Sequence, residues 1–296
     1  MSCRKRPDPR HLQIAILLGL LVCGQLALGF EIDPATAFLI VASALLLQAL
    51  LGRAIDATPF EPRSALITAL SLCLLLRTSD PWLGIAASSL AIGSKFLLRR
   101  HGRHLWNPSA FALVALVLIS DRAWVSPGQW GSAALLGFAV AGFGALVVTR
   151  AERADVTLTF LLSWAGLLLA RAFWLGDPLA IPAHQLQAGS LLVFAFFMIS
   201  DPRSTPASRP GRILFAALVA AGGFGGRFLF YEPDALLFAL VAAAPLVPFL
   251  DGRFPGRAYR WADSDSSTER QIRSGGSTHE TKRSVPAAPG RPALAG

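Results

Sequence analysis

Apolar residues are not spread evenly along this chain. They gather into ten runs at about 12–30, 34–51, 64–76, 81–98, 108–120, 130–149, 156–174, 187–199, 212–230 and 234–250, each closed by a short polar or charged connection. A helix needs about 20 apolar residues to cross the roughly 30 Å hydrocarbon core of a bilayer, so most of the runs read as membrane helices. Two are short. Ser64 to Leu76 stops at Arg77-Thr78-Ser79-Asp80-Pro81, and Gln187 to Ile199 stops at Ser200-Asp201-Pro202, so two truncated apolar segments end in the same tripeptide. Two readings stand for those ends. Either they are polar tips working inside the bilayer, as broken helices are in transporters, or they are topological stops at its surface.

Composition fixes the class. Of 296 residues, 53% are hydrophobic and 15% charged, and the mean hydropathy is +0.52. Ordinary soluble domains carry about 25% charged residues, so this is an integral membrane protein. The net charge of +9 brings nucleic acid to mind, but the arginines sit in short loops between apolar runs and form no basic face. No nucleic-acid partner is expected. Counted from the basic stretch Arg4 to Arg10, every second connection is cationic: Arg53 and Arg63, Arg99 to Arg103, Arg150 and Arg153, Arg203 to Arg212, and Arg253 to Arg260. The others hold little more than Arg77 and Arg122, with Glu31, Asp33, Asp177 and Glu232. Because cytoplasmic loops are enriched in Lys and Arg, this alternation supports ten spans with both termini in the cytoplasm, in a bacterial-type inner (plasma) membrane.

The expected division is a basic cytoplasmic N-terminus at 1–11, a first five-helix repeat at 12–128, a second at 129–260 and a disordered cytoplasmic tail at 261–296, poor in large apolar residues. The opening run reads as an uncleaved first helix. Features recur between the halves: the Ser-Asp-Pro ends, a late cation in the next helix (Lys95 and Arg227), and a proline opening the fifth (Pro108 and Pro233). Five spans per half is an odd number, so the two halves are inverted relative to one another, a plan that puts the working site at their junction.

Charge in or near lipid marks candidates, because an ion there costs at least about 2.5–3.5 kcal/mol. Lys95, Arg171 and Arg227 qualify, and each also lies near the end of its run, where snorkelling to the headgroups is the plainer reading. The transport or polar centre is expected at Asp80, Lys95, Asp201 and Arg227, with Asn107 and Arg212 in support. Asn107-Pro108 also suits a simple helix start. No catalytic residue is assigned. Cys3, Cys23 and Cys73 read as buried thiols, and His101, His104 and His184 lie in loops without a metal-ligand spacing, so no metal is expected. Gly222-Gly223-Phe224-Gly225-Gly226 lies inside an apolar run and reads as a close-packing surface.

Taken together, Ser64 to Leu70 with Pro81-Trp82, Lys95, Trp106 to Ala110, Ala188 to Pro202, Gly211-Arg212, Arg227, Pro233-Asp234 and Pro245 to Asp251 resemble the RnfD/NqrB family. These are the D subunit of the Rnf electron-transport complex and the B subunit of the sodium-pumping NADH:quinone oxidoreductase. The resemblance covers about residues 12 to 260. It implies an all-α polytopic membrane protein of about ten helices, two inverted five-helix repeats similar in plan to urea transporters. It also implies partner subunits of a redox complex that couples electron transfer to sodium or proton movement, and FMN held covalently on a threonine in a loop between the halves. The chain departs from that last point. Between Ala123 and Gln129 the loop is short, and no threonine occurs between Thr78 and Thr149, so the attachment threonine is absent and the cofactor is left unknown. Two alternatives remain beside the redox subunit: a redox-free transporter or channel for a small solute or ion, and a non-catalytic membrane anchor.

Overall fold

The computed structural model describes residues 8–257 and 259, except 28, 31, 57–59, 101 and 127–133. Cys3, His101 and the tail expected at 261–296 lie outside the described residues. Every apolar run falls on a helix, in the order α1 (Pro9–Ala27), α2 (Pro34–Leu51), α3 (Pro62–Leu75), α4 (Leu83–Leu97), α5 (Pro108–Ile119), α6 (Ala134–Arg150), α7 (Ala154–Leu175), a short α8 (Ala180–Leu186), α9 (Gly189–Val193) running into a π-turn (Phe194–Met198), α10 (Arg209–Leu229), α11 (Ala235–Ala243) and α12 (Val247–Arg253). Among the described residues four helical stretches are long and apolar enough to cross a membrane: Pro34–Ile55, Ala154–Leu175, Arg209–Leu229 and Ala235–Arg253. The pair α8 and α9, bent by 48°, makes a fifth if it counts as one broken span.

Their surfaces suit lipid. Leu26, Phe38, Leu162, Phe173, Leu229 and Phe249 are all exposed by more than two thirds, an outward apolar face that a soluble protein of this size does not show. Cys73 is buried, but Cys23 is exposed on that same kind of face. Its position on the outward side of α1, not its apolar neighbours in sequence, decides this.

Helix starts follow from the sequence. Asp33 caps α2 by accepting from the amides of Ala35 and Thr36, with Pro34 opening the first turn where no amide proton is needed. Asn107 does the same for α5, accepting from Ala110 N at 3.1 Å ahead of Pro108. Ser208 caps α10 through Gly211 N.

The ends of the truncated helices were less predictable. After α3 the chain turns extended as β1 (Leu76–Thr78) and pairs antiparallel with β4 (Ala123–Val125), Leu76 opposite Val125 and Thr78 opposite Ala123. A second ribbon joins β2 (Arg99–Arg100) to β3 (Arg103–His104) across Gly102, whose φ of +75° is the left-handed conformation that glycine takes without steric cost. An all-α expectation misses both, because strands of two or three residues carry no usable alternation.

Within the first part α2 packs on α3 and α4, α4 on α5, and α1 on α3; within the second, α7 packs on α10 and α10 on α11. The glycines of α10 make that last contact close. A Cβ at Gly226 would stand 2.7 Å from Ala235 Cβ, and one at Gly223 2.5 Å from the Leu236 side chain, whereas Gly225 has open space. Gly226→Val is therefore expected to destabilise by about 1–3 kcal/mol, the usual cost of overpacking, while Gly225→Ala is neutral or mildly stabilising. Thermal unfolding of the two variants in detergent checks this, and equal shifts would refute the close-packing account.

Candidate functional site

The polar residues that converge most closely surround the end of α9 and its π-turn. In a π-turn the backbone bonds skip one residue further than in an α-helix, and some carbonyls need other donors. Here the donors are side chains. Thr157 Oγ1 of α7 donates to Ala195 O at 2.8 Å, the Ser200 hydroxyl donates to Phe196 O, and Asn107 Nδ2 donates to Met198 O at 3.1 Å. Asn107 thus caps α5 with its oxygen and holds the end of the π-turn with its nitrogen.

Asp201 follows at the mouth of the loop. Its Oδ1 accepts from Arg203 N at 3.1 Å, and its Oδ2 accepts from the Ser204 hydroxyl at 2.9 Å and faces His104 Nε2 at 3.2 Å. Burial pushes this carboxyl up, but the His104 contact together with the Arg203 amide and Ser204 hydroxyl outweighs it and holds the group at about 2. Burial also dominates at His104 and lowers it below the usual imidazole range, with Asp201 only partly offsetting the effect. The arrangement that satisfies both is a carboxylate accepting from a neutral Nε2–H.

Arginines collect the carbonyls of the same loop. Arg103 donates to Arg203 O and Thr205 O and pairs with Asp251 at 3.1 Å; Arg153 donates to the Thr205 hydroxyl and Pro202 O. Arg212 forms a two-pronged pair with Asp155, 2.6 Å at its shortest, and donates to Ala207 O at 2.7 Å. Its role here is to fasten the loop to the start of α7.

Lys95 is buried on α4, and its Nζ donates to Gln48 Oε1 of α2 at 2.9 Å. It lies in the electrostatic field of Asp201 and Arg203, so Lys95 and Asp201 belong to one neighbourhood. The other two expected members stand apart. Asp80 is partly exposed, and its Oδ1 accepts from Trp82 N at 3.1 Å in the turn that leads into α4. Arg227 lines a separate, largely apolar cavity of about 270 Å³ with Trp164, His184, Met198 and Asp234. Arg171 pairs with Asp177 at 3.1 Å and lies over the Phe228 ring. The matched places of Lys95 and Arg227 in the sequence therefore do not make one shared centre.

Sequence reasoning missed His104, Arg103 and Gln48. His104 and Asp201 are 97 residues apart, and local spacing cannot relate them. A signal did exist: both lie in cationic connections assigned to the same side of the membrane.

No group of three or more metal-ligating side chains is found among the described residues. The flavin expectation meets chemistry that does not fit. The connection from α5 to α6, where the attachment threonine was expected, has no threonine, so we derive no step through a covalently held flavin.

Known proteins share part of this chain. Residues 121–260 match the sequence model of the NQR2, RnfD, RnfE family. Over that stretch the chain is similar to this family. Similar proteins include the D subunit of the ion-translocating oxidoreductase complex from Escherichia coli O1:K1 / APEC, 34% identical over 146 residues, and its counterpart from Shigella boydii serotype 18 (strain CDC 3083-94 / BS512), 31% identical over 146 residues. Each match covers 47% of this chain and 35% of the relative, so the shared part spans about a third of those proteins. Asp201, Arg212 and Arg227 fall inside the family match; Asp80, Lys95, His104 and Asn107 precede it.

The two pKa directions give a pH dependence. Asp201, depressed to about 2, contributes stability that is present above its unfolded value near 3.9 and lost only as pH falls toward 2. His104, also depressed, contributes stability that is full above about 6.5 and is lost as pH falls below it, by about 1.4 kcal/mol per unit of depression. Between pH 7.5 and 5 the His104 contribution lowers the melting temperature. His104→Gln, which keeps an N–H donor, should flatten that fall, and an unchanged slope would show that His104 is not buried neutral.

Proposed function

We propose that this chain is a membrane subunit akin to those of ion-translocating oxidoreductase complexes, and that it supports cation movement along the seam where Lys95, His104 and Asp201 meet. The observation that carries the reading is the Asp201 loop. It lies in the family-matched stretch, and it is held by residues that precede that stretch, namely His104, Arg103 and Asn107.

The proposed architecture is ten spans in two inverted five-helix halves, 12–128 and 129–260, with both termini in the cytoplasm. What supports it is the packing pattern. The second helix of each half packs on the fourth and the fourth on the fifth, as α2–α4–α5 and as α7–α10–α11. Like members also touch across the halves, α1 with α6 and α5 with α11. Two such copies related by a two-fold axis in the membrane plane produce this pattern and leave the truncated third helices facing the junction.

On this reading Asp201 supplies fixed negative charge, His104 holds it in register, and the Lys95–Gln48 pair sets the charge balance behind it. Arg227 with Asp234 forms a second polar station in its own cavity, and Asp80 holds the turn ahead of α4. Partners are other subunits of such a complex, which the names of the similar proteins support. A redox-free transporter is the second reading, favoured by the missing threonine between Thr78 and Thr149.

Purification and reconstitution separate the two. A colourless, conducting protein supports the redox-free reading; flavin retained by the purified protein, or ion flux that appears only with partner subunits, supports the first. In either case Asp201→Asn and Lys95→Gln, verified as monodisperse, should lower cation flux about tenfold or more, the effect of about 1.4 kcal/mol on the path. Wild-type flux in both variants would remove these residues from the pathway.

A further inference from the structure

Beside the Asp201 cluster lies a second cavity, of about 410 Å³, between the β2–β3 ribbon, the loop after Asp201 and α12. Its wall is unusually charged. Arg100, Arg103 and Arg203 reach it, along with His104, and Asp251 is the one carboxylate among the lining residues. That carboxylate is already engaged on both oxygens, Oδ2 with Arg103 and Oδ1 with the amide of Ala207 at 2.7 Å. Asp201 is not among the lining residues and is engaged by His104 and Ser204.

Three features show that the cations are held together against their own repulsion. Arg100 and Arg103 stand directly opposite one another in the antiparallel β2–β3 pair, a placement of like charges that destabilises a ribbon. Arg203 is tied to the same ribbon by donating to Gly102 O at 3.0 Å, and burial first, then repulsion from Arg99 and Arg103, lowers its pKa despite Asp201. Beyond its backbone pairing in the ribbon, the Arg100 guanidinium makes no hydrogen bond or ion pair with a described residue. A guanidinium fork without a side-chain partner among the described residues, two more at its side and a cleft large enough for a small anion are the elements that recognise phosphate oxygens.

We propose that this cleft binds a phosphate group through Arg100, Arg103 and Arg203. The same chemistry is offered by the phosphodiester of an anionic phospholipid and by a free phosphate. Apolar neighbours in sequence favour the lipid source: Leu97, three residues before Arg100, and Phe249, next to the lining residue Pro248, are each 72% exposed and could meet acyl chains. The site does not depend on the redox or transport reading above, because its ligand need not move or react.

Arg100→Gln is the informative variant, because no described residue relies on this guanidinium. The full chain, purified in a neutral detergent, is titrated at constant ionic strength with short-chain phosphatidylglycerol, short-chain phosphatidylcholine or inorganic phosphate, and the melting temperature is followed. Stabilisation by phosphatidylglycerol but not phosphatidylcholine, with apparent affinity weakened about tenfold or more in Arg100→Gln, supports a lipid headgroup site; tenfold corresponds to loss of about 1.4 kcal/mol. The same pattern with inorganic phosphate alone supports a soluble phosphate. No stabilisation of the wild type by either anion, or equal stabilisation of wild type and Arg100→Gln, overturns the proposal. Arg203→Gln serves as a second variant and should weaken binding in the same direction.

Discussion

One carboxylate sets the terms for much of this structure. Taking Asp201 out of water is costly unless every lone pair that matters finds a donor. Its own loop supplies two, from Arg203 and Ser204, and the third is His104, which the chain reaches only after a separation of 97 residues. The ribbon that presents His104 also presents Arg103, which in turn holds two loop carbonyls and Asp251. Satisfying one part-buried charge thus fixes the loop, the ribbon and α12 relative to one another.

The π-turn belongs to the same constraint. A truncated helix leaves carbonyls without intrahelical partners, and in lipid no water replaces them. Thr157, Ser200 and Asn107 supply the missing donors from α7, from the loop itself and from α5. A short helix that looked merely abbreviated in the sequence is a backbone whose exposed polar groups are met from three directions. Such a place tolerates polar and charged groups inside an otherwise apolar bundle, which is why a transport seam is sought there and not along the smooth faces of α7 or α10.

Much of this was legible beforehand, and the failures have physical causes. Helix positions followed from runs of apolar residues, and the starts of α2 and α5 from Asp33-Pro34 and Asn107-Pro108, because capping is local chemistry. Lys95 stood out as a charge in apolar company and Asp201 as the polar end of a truncated run, and they do share a neighbourhood. Asp80 and Arg227 stood out as their matches in the other half, but a repeat in sequence fixes only equivalent positions in two halves. It does not bring those positions together. His104 was passed over because its partner is remote, and Gln48 because a neutral amide in an apolar run gives no hint that it receives a buried ammonium.

The direct test of this account is hydrogen exchange on the intact protein in detergent, comparing wild type with Asp201→Asn. If Asp201 ties the loop to the ribbon, faster exchange should appear both at 199–208 and at 98–107, while α2 and α4 keep their protection. A rise confined to 199–208, or none at all, would contradict the claim that this carboxylate joins the two parts of the chain.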